Sequence, residues 1–169
     1  PYTTLFRSEK SMKNQYQNAS NISARIQLHN KYSTNTQGWF PWIFDQCHMA
    51  EHSTVLELGC GDGSLWLENK EKIPKQLHVV LSDISEGMLR DTRRAIHANV
   101  KTSRFDFQVF DCERIPYPDN SFDLVIANHI LFYCKNLTSV FEEISRVLKT
   151  GGTFVCSTYG AAHMKEINE

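Results

Sequence analysis

Three acidic residues and a glycine-rich turn recur at intervals that could assemble one binding site. Glu57 lies two residues before the run Gly59-Cys60-Gly61-Asp62-Gly63, and Asp83 and Asp111 follow at steps of 26 and 28 residues. Carboxylates accept hydrogen bonds from ligand hydroxyl and amino groups, and glycines let the main chain pass close to a ligand. The spacing therefore predicts a site that holds a nucleotide-like ligand on a turn that opens a helix.

Each acid falls at the end of an apolar run that is typical of a buried strand. We predict strands at 54–58, 77–81, 105–110, 122–127 and 153–158. Helical spacing over 137–148 precedes Lys149-Thr150-Gly151-Gly152, which we interpret as a basic last turn with a glycine stop. Strand and helix then alternate five times, which predicts an α/β fold: a Rossmann-like, doubly wound parallel sheet in three αβα layers. Strand ends meet at one edge of such a sheet, so the acids could surround one ligand.

The glycine spacing separates two possible cofactors. The turn is G-x-G-x-G, whereas the dinucleotide fingerprint is G-x-G-x-x-G. An acid at the end of the second strand, Asp83, suits the two ribose hydroxyls of an adenosine in either case. The alternative role for Asp83 is to cap the next helix, but Ser85 is available for that. The glycine spacing thus disfavours the hypothesis of a nicotinamide-dependent oxidoreductase, and that hypothesis also gives Asp111 no role.

Two motifs resemble one known family. The turn at 57–63, taken with the next two strands, resembles motif I of the class I S-adenosylmethionine-dependent methyltransferases. The run Pro116-Tyr117-Pro118-Asp119-Asn120-Ser121-Phe122-Asp123, followed by an apolar strand, resembles the ubiquinone and menaquinone biosynthesis type of small-molecule methyltransferase. The resemblance implies S-adenosyl-L-methionine as cofactor and methyl transfer to a small-molecule acceptor by in-line displacement.

The resemblance also implies roles for individual residues. Asp111 would accept from the adenine amino group and the Cys112 N–H would reach the ring, while Asn128 and His129 would line the methionine end. Glu57 would order the glycine turn and the methionine amino group. Relatives often carry a second histidine where this chain has Phe132-Tyr133-Cys134, so no role is taken from it. The predicted cofactor-binding residues are Glu57, Gly59, Cys60, Gly61, Asp83, Ile84, Met88, Asp111, Cys112 and Asn128, and His129 is the candidate catalytic base.

The chain divides into three predicted parts. Residues 1–8 look like a non-native scar and are left out of fold reasoning. Residues 9–53 form an amino-terminal helical extension or lid, in which Tyr16, Tyr32 and Trp39 are candidate acceptor-pocket residues; the alternative is that the aromatic segment only packs the extension onto the sheet. Residues 54–169 form the S-adenosylmethionine-binding core, which we expect to lack its carboxyl-terminal strands after the fifth.

Composition sets the remaining expectations. The 169 residues are 41% hydrophobic with a formal net charge of −1, which indicates one domain and does not favour nucleic-acid binding. The sequence has no run of about 18 apolar residues, so we expect no membrane span. The five cysteines show no C-x-x-C spacing, so we expect no bound metal and a cytoplasmic location. The sequence does not indicate the acceptor or the oligomeric state. A non-catalytic cofactor-binding remnant or interaction module stays open as a third function.

Overall fold

Five parallel strands form the centre of the molecule. In this computed structural model the described residues are 31, 32, 34, 36–158 and 160. The strands are β1 (Thr54–Leu58), β2 (His78–Asp83), β3 (Arg104–Val109), β4 (Phe122–Asn128) and β5 (Leu148–Ser157). They pair in the order β3-β2-β1-β4-β5, and every pair is parallel. The order reverses direction between β1 and β4, which is where open α/β sheets bind ligands.

Within residues 36–158, four α-helices and a 3-10 turn accompany the strands. They are α1 (Trp39–Gln46), α2 (Ser64–Leu67), α3 (Glu86–Asn99), the 3-10 turn Leu131–Tyr133 and α4 (Leu137–Val147). Ser85 caps α3 by accepting from the Met88 N–H at 3.2 Å, and Asn136 caps α4 by accepting from the Ser139 N–H at 3.2 Å. These side chains satisfy amide groups that the first helical turn leaves unpaired.

Two hydrophobic clusters cover the two faces of the sheet. Alternate residues of β1 divide between them, with Val55 on one face and Leu56 and Leu58 on the other. The first cluster takes side chains from α1, α2 and α3, and the second takes them from α4 and the 110–121 loop. Inner strands buried on both faces explain the continuous apolar runs. The predicted three-layer α/β fold is confirmed.

The prediction that strand and helix alternate five times is wrong at one connection. Residues 110–121 join β3 to β4 without a helix. Pro116 and Pro118 lack N–H groups and disfavour helical conformation in the residues before them. The side chain of Arg146 holds this loop instead, donating to the carbonyl oxygens of Tyr117 at 2.7 Å and Ile115 at 2.9 Å.

The predicted glycine stop after the last helix also differs from the structure. Helix α4 ends at Val147 and β5 begins directly at Leu148, so Lys149 and Gly152 belong to the strand. The helix ends because its last carbonyl oxygens, those of Arg146 and Val147, accept hydrogen bonds from the N–H groups of Asn120 and Ser121 instead of from a further helical turn. The pairing register between β4 and β5 then shifts between Phe122 and Leu124 of β4. In β5, Gly151 lies within this shift and adopts a φ of 80°.

No described helix has the length and apolar character needed to cross a membrane. The predicted scar at 1–8 and the pocket candidate Tyr16 lie outside the described residues, while Tyr32 is 66% exposed.

Candidate functional site

The predicted site residues follow the carboxyl ends of four adjacent strands. Asp83 ends β2 and pairs in register with Val109 of β3, and Asp111 lies two residues further along. Leu58 of β1 pairs with both Ser82 and Ala127. The glycine turn, Asp83, Asp111 and Asn128 are therefore brought to one edge of the sheet, as the spacing predicts.

The turn after β1 uses glycine for two physical reasons. Gly59, Gly61 and Gly63 have φ values of 66°, 57° and 78°, a region where a side chain is strained. At Gly59 a Cβ would also lie 2.3 Å from Cγ2 of Ile130, the residue that follows His129 in the chain. The turn therefore packs closely against the segment after β4, and larger residues would push the two apart.

Asp83 fixes the glycine turn to β2. Its carboxylate accepts from the Gly61 N–H at 3.2 Å and from the Ser85 N–H at 2.8 Å. Burial raises the pKa of Asp83, and the hydrogen bonds from the main chain oppose that rise. Ser85, not Asp83, caps α3, so Asp83 is available to organise the edge. Thr92 adds a second tie by donating to the Gly61 carbonyl at 2.6 Å.

Glu57 lies within the core and contacts a different partner. It is 2% exposed, and Oε2 accepts from the indole N–H of Trp66 at 2.6 Å. Burial raises the pKa of Glu57 to about 8. We expected Glu57 to order the glycine turn, but in the structure the carboxylate bonded to that turn is Asp83, and Glu57 joins β1 to α2. The same burial, with Glu57 nearby, raises the pKa of the Cys60 thiol well above its usual range.

Beyond Asp83, the neighbouring residues differ in how much surface they present. Ile84 is 72% exposed beside Asp83, and Asp111 is also exposed. Cys112 is half-buried and its sulfur lies 3.3 Å from that of Cys134. Met88 is 1% exposed, so its side chain presents no surface to a ligand in this conformation. The prediction that Met88 contacts the cofactor is not supported.

Asn128 is held from two sides at the end of β4. Its Oδ1 accepts from the indole N–H of Trp39 at 3.2 Å and from the Ser157 hydroxyl at 2.5 Å. Trp39 begins α1, so the aromatic segment of the amino-terminal extension reaches the site edge. The sequence predicted Trp39 only as a pocket candidate and gave no sign of Ser157, because contacts with Asn128 across 89 and 29 residues leave no local pattern.

His129 takes a strained conformation next to Asn128. Its φ is 57°, which is uncommon for a residue with a side chain. The Ser157 hydroxyl accepts from the His129 N–H at 3.0 Å. The imidazole stacks on the Trp39 ring with centroids 4.8 Å apart and planes inclined by 25°. Strain that is held by surrounding contacts clusters at functional sites, which makes His129 a candidate on structural grounds as well.

A parallel sheet with this strand order, a glycine turn after β1 and acids after β2 and β3 defines a nucleotide-binding α/β protein with the spacing of the class I methyltransferases. Residues 56–156 match the family model described as a methyltransferase domain. The chain therefore belongs to the methyltransferase-domain family, and the family predicted from the motifs is confirmed.

Similar proteins agree with this assignment. Demethylmenaquinone methyltransferase of Symbiobacterium thermophilum is 32% identical over 118 residues, covering 70% of this chain and 47% of that protein. The ubiquinone/menaquinone biosynthesis C-methyltransferase UbiE of Hydrogenovibrio crunogenus is 37% identical over 100 residues, covering 59% and 39%. A crystal structure of geranyl diphosphate C-methyltransferase from Streptomyces coelicolor, with Mg²⁺, geranyl diphosphate and S-adenosyl-L-homocysteine, shares the fold at a TM-score of 0.59 and 21% identity, covering 69% and 42%. The chain thus spans less than half the length of these relatives.

Proposed function

We propose that this chain carries the S-adenosyl-L-methionine site of an enzyme that transfers a methyl group to a small-molecule acceptor. One observation supports this most: Asp83 at the end of β2 bonds directly to the glycine turn after β1. A carboxylate in that place can accept from ribose hydroxyls while the turn's main chain faces the rest of the ligand. The family membership and the S-adenosyl-L-homocysteine in the geranyl diphosphate C-methyltransferase structure point to the same cofactor.

The residues present fit an adenosine. The exposed apolar side chain of Ile84 directly follows the half-buried carboxylate of Asp83. A ribose on Asp83 would therefore leave the base against Ile84, with Asp111 and the Cys112 N–H able to meet its edge. Gly59, Cys60 and Gly61 would border the methionine part. This set contains the residues of our sequence prediction except Met88, Glu57 and Asn128. The roles of Glu57 toward the amino group and of Asn128 at the methionine end stay predictions.

The cofactor supplies the reactive methyl group when bound, and the protein's contribution is alignment and exclusion of water. Asn128 and His129 lie where β4 ends, with Trp39 stacked over the imidazole. We assign this corner to the acceptor, so that α1 forms one of its walls. His129 would take the acceptor proton where the acceptor is weakly acidic, and would only line the pocket otherwise.

Titration calorimetry with S-adenosylhomocysteine and with NAD tests the cofactor assignment. We expect the chain to bind S-adenosylhomocysteine and to give no heat with NAD, because the turn has the wrong glycine spacing for a pyrophosphate. Binding of NAD without binding of S-adenosylhomocysteine would overturn the proposal and support the oxidoreductase.

Transfer of a labelled methyl group into metabolite extracts tests activity separately. The experiment should use the longest natural form of the protein, since the relatives are more than twice as long as the matched region. Labelled product would support the enzyme. Binding of the cofactor without any transfer would favour the non-catalytic remnant.

We also propose a reducing compartment such as the cytoplasm. The five cysteines are all free in the described structure, and free thiols are typical of that compartment.

A further inference from the structure

Two cysteines meet at the edge of the proposed adenine region. Cys112 comes from the segment after β3, and Cys134 follows the 3-10 turn after β4. Their sulfur atoms lie 3.3 Å apart, with one thiol donating to the other. Both side chains are only half-buried, so a small oxidant can reach them. The pair is 22 residues apart in sequence and contains no C-x-x-C motif.

The main chain that follows the two thiols is tied together independently of the sulfur contact. The carboxylate of Glu113 accepts from the N–H groups of Lys135 at 2.7 Å and Asn136 at 3.0 Å. The residue after Cys112 is therefore tied to the two residues after Cys134. A clamp of this kind keeps the thiols together, so that closing a bond between them needs only a local adjustment from 3.3 Å to about 2.05 Å.

We propose that Cys112 and Cys134 form a redox-active pair that a peroxide converts to a disulfide, and that the disulfide weakens binding at the adjacent cofactor site. The second part rests on the proposed function. Cys112 follows Asp111, and both border the proposed adenine position. Because Glu113 holds the carboxyl side of Cys112, drawing its sulfur toward Cys134 would be accommodated on the amino side, where the N–H that we assign to the adenine ring lies.

The chemistry balances with hydrogen peroxide as the oxidant. The thiolate of Cys134 attacks one peroxide oxygen and the O–O bond breaks, which leaves a sulfenic acid and a hydroxide that takes up a proton to become water. The sulfur of Cys112 then attacks the sulfenic sulfur. The S–S bond forms, the S–O bond breaks, and the thiol proton leaves with the hydroxyl group as a second water. The two sulfurs lose two electrons in total and one peroxide is reduced.

The pair is distinguished from the other cysteines by its surroundings. The hydrogen bond from Cys112 lowers the pKa of the Cys134 thiol, although burial and the charges of Glu113 and Asp111 oppose this. Cys47 is buried, and burial raises its pKa to about 12. Cys156 is exposed but has no partner thiol described near it, so it serves as an internal control.

Peptide mapping under non-reducing conditions tests the cross-link. The chain is treated with hydrogen peroxide, blocked with an alkylating agent and digested with trypsin. Cleavage after Arg104, Arg114 and Lys135 releases Cys112 and Cys134 on separate peptides, 105–114 and 115–135. We expect these two peptides to appear joined, and to separate after treatment with a thiol reductant. Recovery of both as alkylated thiols while Cys156 is oxidised would overturn the proposal.

Matched variants complete the test. Cys112→Ser and Cys134→Ser should each abolish the joined peptide, whereas Cys156→Ser should keep it. Oxidation should raise the dissociation constant for S-adenosylhomocysteine several-fold in the parent and in Cys156→Ser. In Cys112→Ser and Cys134→Ser, the oxidised and the reduced protein should have the same dissociation constant. An unchanged constant in a fully cross-linked parent would overturn control of the site. Failure of the reduced parent to bind would instead contradict the proposed function, since the mapping result does not depend on binding.

Discussion

Asp83 is the residue on which the proposed site most depends. It has two structural bonds, to the Gly61 and Ser85 N–H groups, and it is half-buried rather than enclosed. Its position could be predicted because an acid at the end of a strand next to a glycine turn is a local pattern. The same reasoning left Ser85 available to cap the helix, and in the structure Ser85 caps it.

Asp83→Asn should weaken binding of S-adenosylhomocysteine by about 1–3 kcal/mol, or roughly 5- to 150-fold in the dissociation constant. The amide keeps an oxygen for one N–H group but loses the charge that strengthens ribose hydrogen bonds. Calorimetry should compare it with Asp91→Asn. Asp91 lies on α3 and only makes ion pairs of 3.8 Å and 3.9 Å with Arg90 and Arg94. Equal affinities in the two variants would contradict the ribose role.

Glu57 gives the folded chain a predictable pH dependence. Its pKa of about 8 in the folded state is above the ordinary value of 4.5, so the folded state binds the proton more tightly than the unfolded state. This contribution to stability is complete below about pH 4.5 and is lost as the pH rises through about 8. The slope from one such group is at most about 1.4 kcal/mol per pH unit.

Glu57→Gln should therefore flatten the decline in the free energy of unfolding between about pH 5 and 8, because the amide does not titrate. Its carbonyl oxygen can still accept from Trp66. Urea unfolding of parent and variant across this range measures the difference. Parallel curves would show that Glu57 does not titrate in this window. The partner itself could not be predicted, because nothing local links Glu57 to an indole nine residues away.

At the scale of elements, alanine substitutions at Gly59 and Gly151 separate the effect of close packing from the effect of backbone strain. Gly59 and Gly151 both have positive φ, 66° and 80°. A side chain at Gly59 would place its Cβ 2.3 Å from Ile130 Cγ2, whereas a Cβ at Gly151 would meet no atom within 4 Å. Gly151→Ala should cost about 1–2 kcal/mol from the left-handed conformation alone. Gly59→Ala should cost clearly more, because Ile130 must also move. Equal losses in denaturant unfolding would show that the turn and the 130 segment are not packed as described.

The loop between β3 and β4 is stabilised by one side chain instead of a helix. Arg146 donates to the carbonyl oxygens of Tyr117 and Ile115 and pairs with Glu143 and Asp119. Arg146→Met should lower the free energy of unfolding by about 1–2 kcal/mol, since two carbonyl groups lose their donor. Arg90→Met, on the surface of α3, is the control and should change little. If Arg146→Met lowers the free energy of unfolding no more than Arg90→Met does, Arg146 does not stabilise the loop between β3 and β4.

Sequence patterns located the strands well and the connections less well. Apolar runs identified all four strands that carry the site, and three of these runs have an acid at or near the end. The runs are most continuous in β1, β2 and β4, because these inner strands are buried on both faces. The missing helix at 110–121 and the start of β5 at Leu148 depend on tertiary bonds from Arg146 and from residues 120 and 121. Those bonds join positions about 30 residues apart and leave no periodic signal.

At the scale of the whole molecule, the sheet order explains why distant residues share one edge. The strand order places β1 beside β4 on one side and β2 on the other, with β3 beyond β2. The glycine turn after β1 therefore lies between the ends of β2 and β4, which carry Asp83 and Asn128. The amino-terminal extension reaches the same edge through Trp39. A ligand bound there would touch several elements at once. Saturation at about 100 times the dissociation constant should therefore stabilise the fold by about 2.7 kcal/mol, which a thermal or urea titration measures.

A crystal structure of this chain with S-adenosylhomocysteine tests the central claim most directly. We predict ligand density along the carboxyl edge, with the ribose hydroxyls on the Asp83 carboxylate, the adenine between Ile84 and Asp111, and the amino-acid part beside Gly59 and Gly61. Density at another face of the sheet, or a ribose that avoids Asp83, would contradict it.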